Sequence, residues 1–275
     1  LTTSKAGYRA GYQPLMAGVS VAPYPYAYRY GWDEEETSAW CLNELAYILR
    51  SQTSPSETAA VIVEPVLGEG GYVVPPASFL QGLRRICDEN DILLIADEIQ
   101  TGFGRTGDWF GFMRSEILPD IMVVSKGLAS GMPISSVISR QELMSKWVPG
   151  SHGGTFGGNA VAAAAGAATI KAISSEKMLE NAREGGMELL DGLAEIQSLF
   201  PVIGNVRGLG VMIGVEFSKE NRQPNSAIVK KVLQPAYEKR LLLLSCGTDS
   251  NVIRFIPPLN VSKNDTLQFI DFAKE

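Results

Sequence analysis

Continuous apolar segments alternate with amphipathic ones through much of the chain. Three of them end in polar residues and are typical of strands buried on both faces of a sheet: AAVIVEP (59–65), ILLIADE (92–98) and IMVVSK (121–126). PISSVIS (133–139) predicts a further strand. The intervening segment 78–91 places five apolar residues on one helical face, namely Phe79, Leu80, Leu83, Ile86 and Cys87. This alternation predicts an α/β fold with a mostly parallel sheet covered by helices.

The pattern changes toward the C-terminus. Further helices are predicted over 37–52, 158–173 and 176–197, whereas the N-terminal residues 1–31 are rich in Gly, Pro and Tyr and predict loops. The C-terminal part combines extended and helical segments, namely 206–217 (extended), 227–240 (helix), 241–245 and 251–258 (strands) and 266–275 (helix). We therefore predict a large domain over 1–180 and, over 181–275, a linking helix followed by a small α+β domain.

Composition excludes several classes of protein. The formal net charge is −6 over 275 residues, without a basic stripe, which argues against nucleic acid or an anionic membrane as the main partner. No apolar run approaches the roughly 18 residues that span a bilayer. Three scattered cysteines without metal-ligand spacing indicate a reducing, intracellular compartment and no metal site. The chain begins at Leu1, so we expect either a processed protein or part of a longer one.

Polar side chains follow each predicted parallel strand. They are Glu64 and Glu69 after the first strand, Asp97, Glu98 and Gln100 after the second, and Ser125 and Lys126 after the third. Ligands of such sheets lie at the carboxyl ends of the strands, so we expect an acid and a lysine at one edge.

Lys126 and Asp97 each have two interpretations. Lys126 either reaches solvent or, among apolar neighbours and glycines, has a lowered pKa that favours attack on a carbonyl. Asp97 is either satisfied by backbone N–H groups in a turn or is a fixed anion facing a protonated ring nitrogen. A lysine that forms a Schiff base, with an acid on the pyridinium, is the arrangement that pyridoxal phosphate requires.

Three further residues carry weaker signals. Arg254 lies among apolar residues in the predicted strand 251–258 and needs a carboxylate partner, either as a structural ion pair or in a binding site. Arg105 in GFGRTG is interpreted as a structural or interface charge, because that segment lacks the helix and spacing of a dinucleotide fingerprint. His152, the only histidine, is interpreted as a loop residue and not as a base.

Five segments in order carry a resemblance to a known family: EPVLGEGGY (64–72), LLIADEIQTGFGRTG (93–107), PDIMVVSKGLASGMP (119–133), GGTFGGNA (153–160) and VIRFIPPL (252–259). The chain resembles the class III, or omega, aminotransferases of the fold type I pyridoxal-phosphate superfamily over nearly its whole length. The similarity is to 4-aminobutyrate aminotransferase-like and plant-type alanine–glyoxylate aminotransferase-like members.

The resemblance implies roles for residues around the cofactor, pyridoxal 5'-phosphate. Lys126 matches the lysine that forms the Schiff base and moves the proton, and Asp97 matches the acid that keeps the pyridine nitrogen protonated. Ile99 matches the residue packed on one ring face, and Gln100 the amide near the ring's 3-oxygen. Thr155 matches a threonine that contributes to the phosphate site of the neighbouring subunit, which implies a homodimer.

The resemblance also implies the substrates, which are small amino acids and 2-oxo acids. Arg254 matches the arginine that binds the α-carboxylate, Glu69 the glutamate that masks it when an ω-amine is bound, and Glu64 another acid near that pocket. The implied reaction is transfer of an amino group from an ω-amino acid such as 4-aminobutyrate to 2-oxoglutarate, pyruvate or glyoxylate by a ping-pong mechanism. Acetylornithine or ornithine aminotransferase, an aminomutase and a dialkylglycine decarboxylase are alternatives within the same scaffold.

Full-length members of the family are expected to carry a further segment before the match to LTTSK. The resemblance assigns to it the phosphate-binding turn, the aromatic residue on the other ring face and part of the sheet, so 1–180 would be a partial large domain. A chain of this length is expected to retain cofactor weakly and to expose apolar surface, and a catalytically inert truncated subunit is the alternative function. We expect a soluble protein of the cytoplasm or the mitochondrial matrix.

Overall fold

A computed structural model describes residues 5–274; residues 1–4 of the predicted N-terminal loop and Glu275 of the last predicted helix lie outside the described residues. The first of two four-stranded sheets has the order β1-β2-β3-β4. Its strands are β1 (Ala60–Val63), β2 (Leu93–Asp97), β3 (Ile121–Val124) and β4 (Ser136–Ser139). Neighbours β1 to β3 are parallel and β4 is antiparallel, which confirms the mostly parallel sheet.

The longer helices agree with the predicted positions to within a few residues, but the four-residue helices Ala27–Tyr30 and Gln141–Met144 were not predicted, and the first lies in the segment 1–31 predicted as loops. In the described chain the helices are α1 (Ala27–Tyr30), α2 (Glu34–Ser51), α3 (Ala77–Glu89), α4 (Gln141–Met144), α5 (Ala160–Ser175), α6 (Met178–Leu199), α7 (Ser226–Glu238) and α8 (Lys263–Lys274). Helix α2 begins three residues before the predicted start at Thr37, because the Asp33 side chain accepts hydrogen bonds from the N–H groups of Glu35 and Glu36 at 2.8 and 3.3 Å.

The parallel sheet is deeply buried on one face only. Helices α2 and α3 pack there, and Leu94 and Ala96 of β2 are 0% and 2% exposed. On the other face Ile62 of β1 and Val137 of β4 are 47% and 42% exposed. The prediction of strands buried on both faces is therefore wrong for the described residues, because α2 and α3 lie on the same side.

The second sheet has the order β5-β6-β8-β7 and is antiparallel throughout. Its strands are β5 (Ile203–Leu209), β6 (Met212–Phe217), β7 (Leu244–Cys246) and β8 (Val252–Phe255). The predicted extended segment 206–217 is most of a β5–β6 hairpin that turns at Gly210–Val211. Helices α6, α7 and α8 enclose an apolar core on this sheet, which agrees with the predicted small α+β unit. The division at 180/181 stays a prediction.

Two loops of the first unit hold it against the second sheet. In the turn 67–73, Leu67 pairs with Val73, and Val66 and Tyr72 pack on Met212, Cys246 and Val252. The second contact is the glycine-rich loop after β2, where the Arg105 carbonyl accepts the Val211 N–H at 3.1 Å. No helix in residues 5–274 is long and apolar enough to cross a membrane.

Gly210 makes the second of these contacts and offers a stability test. Its φ is +54°, and a Cβ atom there would lie 2.5 to 2.8 Å from backbone atoms of Arg105, Thr106 and Gly107. Gly210→Ala is expected to lower the free energy of unfolding by about 2–4 kcal/mol, measured by urea denaturation. Gly150→Ala, with φ +86° but open space around it, is the control and should lose only about 1 kcal/mol. Equal losses in the two variants would contradict this close packing.

Candidate active site

Lys126 directly follows the third parallel strand in a strained conformation. Its φ is +40°, which non-glycine residues seldom adopt, and Ser130 four residues later has φ +47°. The segment between them is fixed, since the Ser125 carbonyl accepts the Leu128 N–H at 3.0 Å and the Ser125 hydroxyl donates to the Ile134 carbonyl at 2.9 Å. Strain of this kind is concentrated at functional sites because the surroundings must enforce it.

The adjacent carboxylates Asp97 and Glu98 have separate tasks. Asp97 ends β2, is half-buried, and accepts the Ile99 N–H on Oδ1 at 3.1 Å. Glu98 is 0% exposed and accepts the Thr101 hydroxyl and the N–H groups of Gly111 and Phe112, both at 2.9 Å. Burial raises the pKa of Glu98, although these hydrogen bonds oppose the shift.

Glu98 thus anchors the loop that Asp97 introduces. Its position at a strand end was predicted, but its role in the loop was not. The alternation of side chains along a strand could have indicated that role, since neighbouring residues point to opposite faces. Two glycines of that loop, Gly104 and Gly107, have φ of +91° and +90°. They allow the sharp turn beyond the sheet that the sequence indicates.

Four charged side chains act on the Lys126 ammonium. Although Lys126 is exposed overall, partial burial of its ammonium lowers its pKa. The charge of Arg254 acts in the same direction. The carboxylates of Glu69, Glu64 and Asp97 act in the opposite direction without cancelling the shift. The predicted acid and lysine are therefore close enough to interact at one edge of the sheet.

Arg254 of β8 forms an ion pair with Glu69 of the turn 67–73, through Nη1 and Oε1. The same Glu69 oxygen accepts the Gln100 amide at 3.2 Å, and the Tyr72 hydroxyl lies 3.5 Å from the other end of that amide. The predicted carboxylate partner of Arg254 is thus confirmed. The Arg254 Nε is buried and has no hydrogen-bond partner within residues 5–274, so the guanidinium retains a donor for an incoming acceptor.

Glu64 lies beside this ion pair. Its Oε2 accepts the Gly68 N–H at 2.8 Å, which ties it to the base of the turn that carries Glu69. Burial raises the pKa of Glu64, and the nearby charges of Asp97 and Glu69 add to the shift. Glu64 thus lies near the predicted substrate pocket, as expected from the sequence, and its role in substrate binding stays a prediction.

A cavity of about 690 Å³ opens beside Lys126. Its walls combine Gln100, Tyr72 and Arg105 with apolar residues such as Ile173 and Ile256. Arg105 donates to the carbonyls of Val211 and Pro257 at 3.3 and 2.5 Å, which supports its interpretation as a structural charge. The cavity provides room for a small molecule next to the lysine.

Thr155 is not brought to this edge by any contact among the described residues. It lies in the segment 145–158, which is exposed throughout and includes Trp147 and Phe156 at 53% and 84% exposure. His152 is in the same segment, with its ring stacked on Trp147 and not engaged at the site. Both Thr155's predicted contribution to a neighbouring subunit and the role of Ile99 against a ring stay predictions.

The lowered pKa of Lys126 predicts its reactivity. More of the amine is neutral at any given pH, so Lys126 is expected to be acetylated at lower pH than Lys263, whose pKa is raised by a hydrogen bond to Glu188 and by its charge. Competitive labelling with acetic anhydride from neutral to alkaline pH, followed by peptide mass spectrometry, measures both midpoints in one sample. A Lys126 midpoint at or above that of Lys263 would contradict the electrostatic description.

Several known proteins are similar to this chain in sequence and in fold. The 5-aminovalerate aminotransferase DavT of Pseudomonas aeruginosa is 41% identical over 263 residues, which are 95% of this chain and 61% of that protein. An alanine/serine racemase of Pyrococcus horikoshii is 42% identical over 262 residues, 93% of this chain and 55% of the racemase. The chain therefore spans about three fifths of the length of these curated relatives.

Solved structures of transaminases are also similar to this chain. An amine transaminase from an uncultivated Pseudomonas species, solved in a PLP-bound internal aldimine form, superposes with a TM-score of 0.90 at 30% identity, covering 98% of this chain and 63% of that one. The α/β sheet and its helices are thus those of known transaminases. The sequence model of the family "Aminotransferase class-III" matches residues 1–275. The chain belongs to the class III aminotransferase family.

Proposed function

We propose that this chain is a pyridoxal-phosphate-dependent aminotransferase that moves an amino group from an ω-amino acid to a 2-oxo acid in two half-reactions. The observation that carries the proposal is the convergence of Lys126, Asp97 and the Glu69–Arg254 pair at one edge of the sheet. A nucleophilic amine, a fixed anion and a masked carboxylate receptor are the three groups that this chemistry requires.

The residues at the site fit pyridoxal phosphate. Lys126 offers an amine of lowered pKa beside a cavity of about 690 Å³, and Gln100 presents a side-chain amide to the same cavity. Asp97 keeps a carboxylate at the end of β2, within electrostatic reach of that amine. When bound, the cofactor supplies an electron sink for the bond that breaks at the substrate carbon.

The chain's own residues perform the proton transfers. The neutral form of the Lys126 Nζ would accept a proton from the substrate carbon and later return it, and its lowered pKa makes that form more abundant. The negative charge of the Asp97 carboxylate would favour the protonated form of the cofactor's ring nitrogen. Strain in the backbone of Lys126 fixes the direction from which its side chain enters the cavity.

The Glu69–Arg254 pair supports the choice of substrates. When Glu69 covers Arg254, the pocket is suited to the uncharged chain of an ω-amino acid, whereas an uncovered Arg254 binds the carboxylate next to the carbonyl of 2-oxoglutarate, pyruvate or glyoxylate. The 41% identity to a 5-aminovalerate aminotransferase supports an ω-amine donor, and a 4-aminobutyrate-like donor is the form we propose.

There are three alternatives to this function. The racemase relative favours a reaction in which the amino group stays on its carbon, and that relative is 42% identical to this chain. An acetylornithine or ornithine donor is an alternative within aminotransfer. A catalytically inert subunit is the remaining alternative, and the strained Lys126 beside an intact Asp97 speaks against it.

We further propose a homodimer in which the segment 145–158 faces the neighbouring subunit. The exposed side chains of Trp147, Val148 and Phe156 support this arrangement, since contiguous apolar surface favours association. Thr155 in the same segment would then reach the neighbouring subunit's phosphate site. A cytoplasmic or mitochondrial-matrix location stays a prediction from cysteine usage.

Absorption spectroscopy tests the activity. The chain mixed with pyridoxal phosphate should show the visible band of a lysine-bound cofactor, and Lys126→Ala should lose it, whereas Lys231→Ala on the exposed surface of α7 should keep it. Transfer of ¹⁵N from labelled 4-aminobutyrate to 2-oxoglutarate, followed by mass spectrometry, should proceed only with the intact lysine. Loss of chirality in an amino acid without nitrogen transfer would assign racemisation instead, and the absence of a band would support the inert subunit.

Glu69→Ala tests substrate choice. Without the masking carboxylate, the charge of Arg254 faces the ω-amine chain unpaired, so kcat/KM of that half-reaction should fall by roughly 10- to 100-fold, or about 1.4–3 kcal/mol. The half-reaction with the 2-oxo acid should change much less, because its carboxylate pairs with Arg254 directly. Single-turnover stopped-flow absorbance measures each half-reaction separately. Glu89→Ala, on the exposed face of α3, is the control, and equal losses in both half-reactions would contradict the masking role.

A further inference from the structure

A second, more buried ion pair lies behind the first. Arg207 of β5 and Glu216 of β6 meet at 2.6 Å between Nη1 and Oε2, with side chains 12% and 6% exposed. The Tyr26 hydroxyl donates to the same Glu216 oxygen at 2.5 Å, and the Arg207 guanidinium lies over the Tyr26 ring. Nothing in the proposed chemistry uses this pair directly.

One side of the pair holds the turn that carries Glu69. Arg207 Nε donates to the carbonyls of Gly71 and Tyr72, both at 3.2 Å, and Nη2 donates to the Gly71 carbonyl at 2.6 Å. These carbonyls follow Glu69 by two and three residues. The Glu69 carbonyl is itself held at 2.9 Å by the Gly247 N–H. The turn is therefore held by hydrogen bonds to three of its carbonyls, those of Glu69, Gly71 and Tyr72.

The other side of the pair holds the strand that carries Arg254. Glu216 Oε1 accepts the Asn251 amide at 3.1 Å, directly before β8 begins. In the register of β6 and β8, Glu216 lies opposite Val252 and Gly214 opposite Arg254. A Cβ at Gly214 would lie 3.0 Å from the Tyr72 Cβ, so the turn approaches β6 at the residue that lies opposite Arg254.

We propose that Arg207 and Glu216 are positioning residues that set the alignment of Glu69 on Arg254 and thereby the charge that a substrate meets. This inference rests on the masking role given to Glu69 under the proposed function. The Arg207 guanidinium bonds both to the carbonyls of the turn and to Glu216. Glu216 in turn accepts a hydrogen bond from Asn251, which directly precedes β8. Only the planar, multiply donating side chain of arginine satisfies these acceptors together, whereas a lysine ammonium serves fewer of them.

If the Arg207–Glu216 pair were merely structural, substitutions in it would alter the free energy of unfolding and leave carboxylate binding unchanged. A positioning pair has a different signature: loosening it frees Arg254 from Glu69 and makes an added carboxylate bind more tightly. Arg207→Lys is the informative variant, because it keeps the charge and so leaves the general attraction for anions unaltered. Glu216→Gln loosens the same connection from the other partner.

Calorimetric titration with glutarate, a dicarboxylate that has neither an amino nor a carbonyl group, provides the measurement. Glu69→Ala should tighten glutarate binding by roughly threefold to tenfold, the equivalent of the net contribution of one hydrogen bond. Arg207→Lys and Glu216→Gln should each tighten it by a smaller factor. The double variant Glu69→Ala/Arg207→Lys should bind no more tightly than Glu69→Ala alone, because Arg207 acts through Glu69.

Controls separate the outcomes. Arg84→Lys alters the Arg84–Asp120 pair of the first unit, whose side chains are 16% and 15% exposed, and should leave glutarate affinity unchanged. Unchanged affinity in folded Arg207→Lys and Glu216→Gln, or a gain that adds fully to that of Glu69→Ala, would overturn the positioning role while leaving the proposed function intact. If Arg254→Met does not weaken glutarate binding, or Glu69→Ala does not tighten it, the masking role itself is wrong and the inference falls with it.

Discussion

The ion pair between Glu69 and Arg254 is the constraint on which the site depends, because it joins two separately built units. Glu69 belongs to a turn that follows a strand of the parallel sheet, and Arg254 to a strand of the antiparallel sheet. A partly buried guanidinium without a carboxylate would be very costly, so the two sheets must meet where these side chains can pair. The remaining contacts between the units, from the apolar cluster around Tyr72 to the Arg105 carbonyl at Val211, keep that meeting point in place.

Much of the fold follows from local patterns. The parallel strands, the helix with Leu80 and Cys87 on its apolar face and the small C-terminal sheet were all predicted from periodicity. Helix α2 begins three residues before its predicted start because its cap, Asp33, lies four residues before the apolar pattern begins. The predicted strand 241–245 forms only from Leu244, since Leu242 is 79% exposed and has no core to pack on. Burial of both faces of the sheet was wrong because strand composition does not say on which side helices will pack.

Some residues of the site were predicted from the sequence and others were not. Residues at strand ends, such as Lys126 and Asp97, were predicted because a parallel sheet brings its carboxyl ends together. Glu98 and the Arg207–Glu216 pair were not, since their partners are loop N–H groups and carbonyls far away in sequence, which no spacing rule identifies. Thr155 came from family resemblance alone.

The two charges of the Glu69–Arg254 pair also act on Lys126, with opposite signs. Arg254 lowers the pKa of Lys126 and Glu69 raises it, so with both in place their effects offset each other in part. If Glu69 moves away from Arg254, the lysine loses a nearby anion while the cation stays, and its amine is more readily neutral. Under the proposed function, a substrate carboxylate bound to Arg254 would restore the negative charge beside it. Substrate binding and the protonation of the Lys126 amine would then be linked by electrostatics at one edge of the sheet.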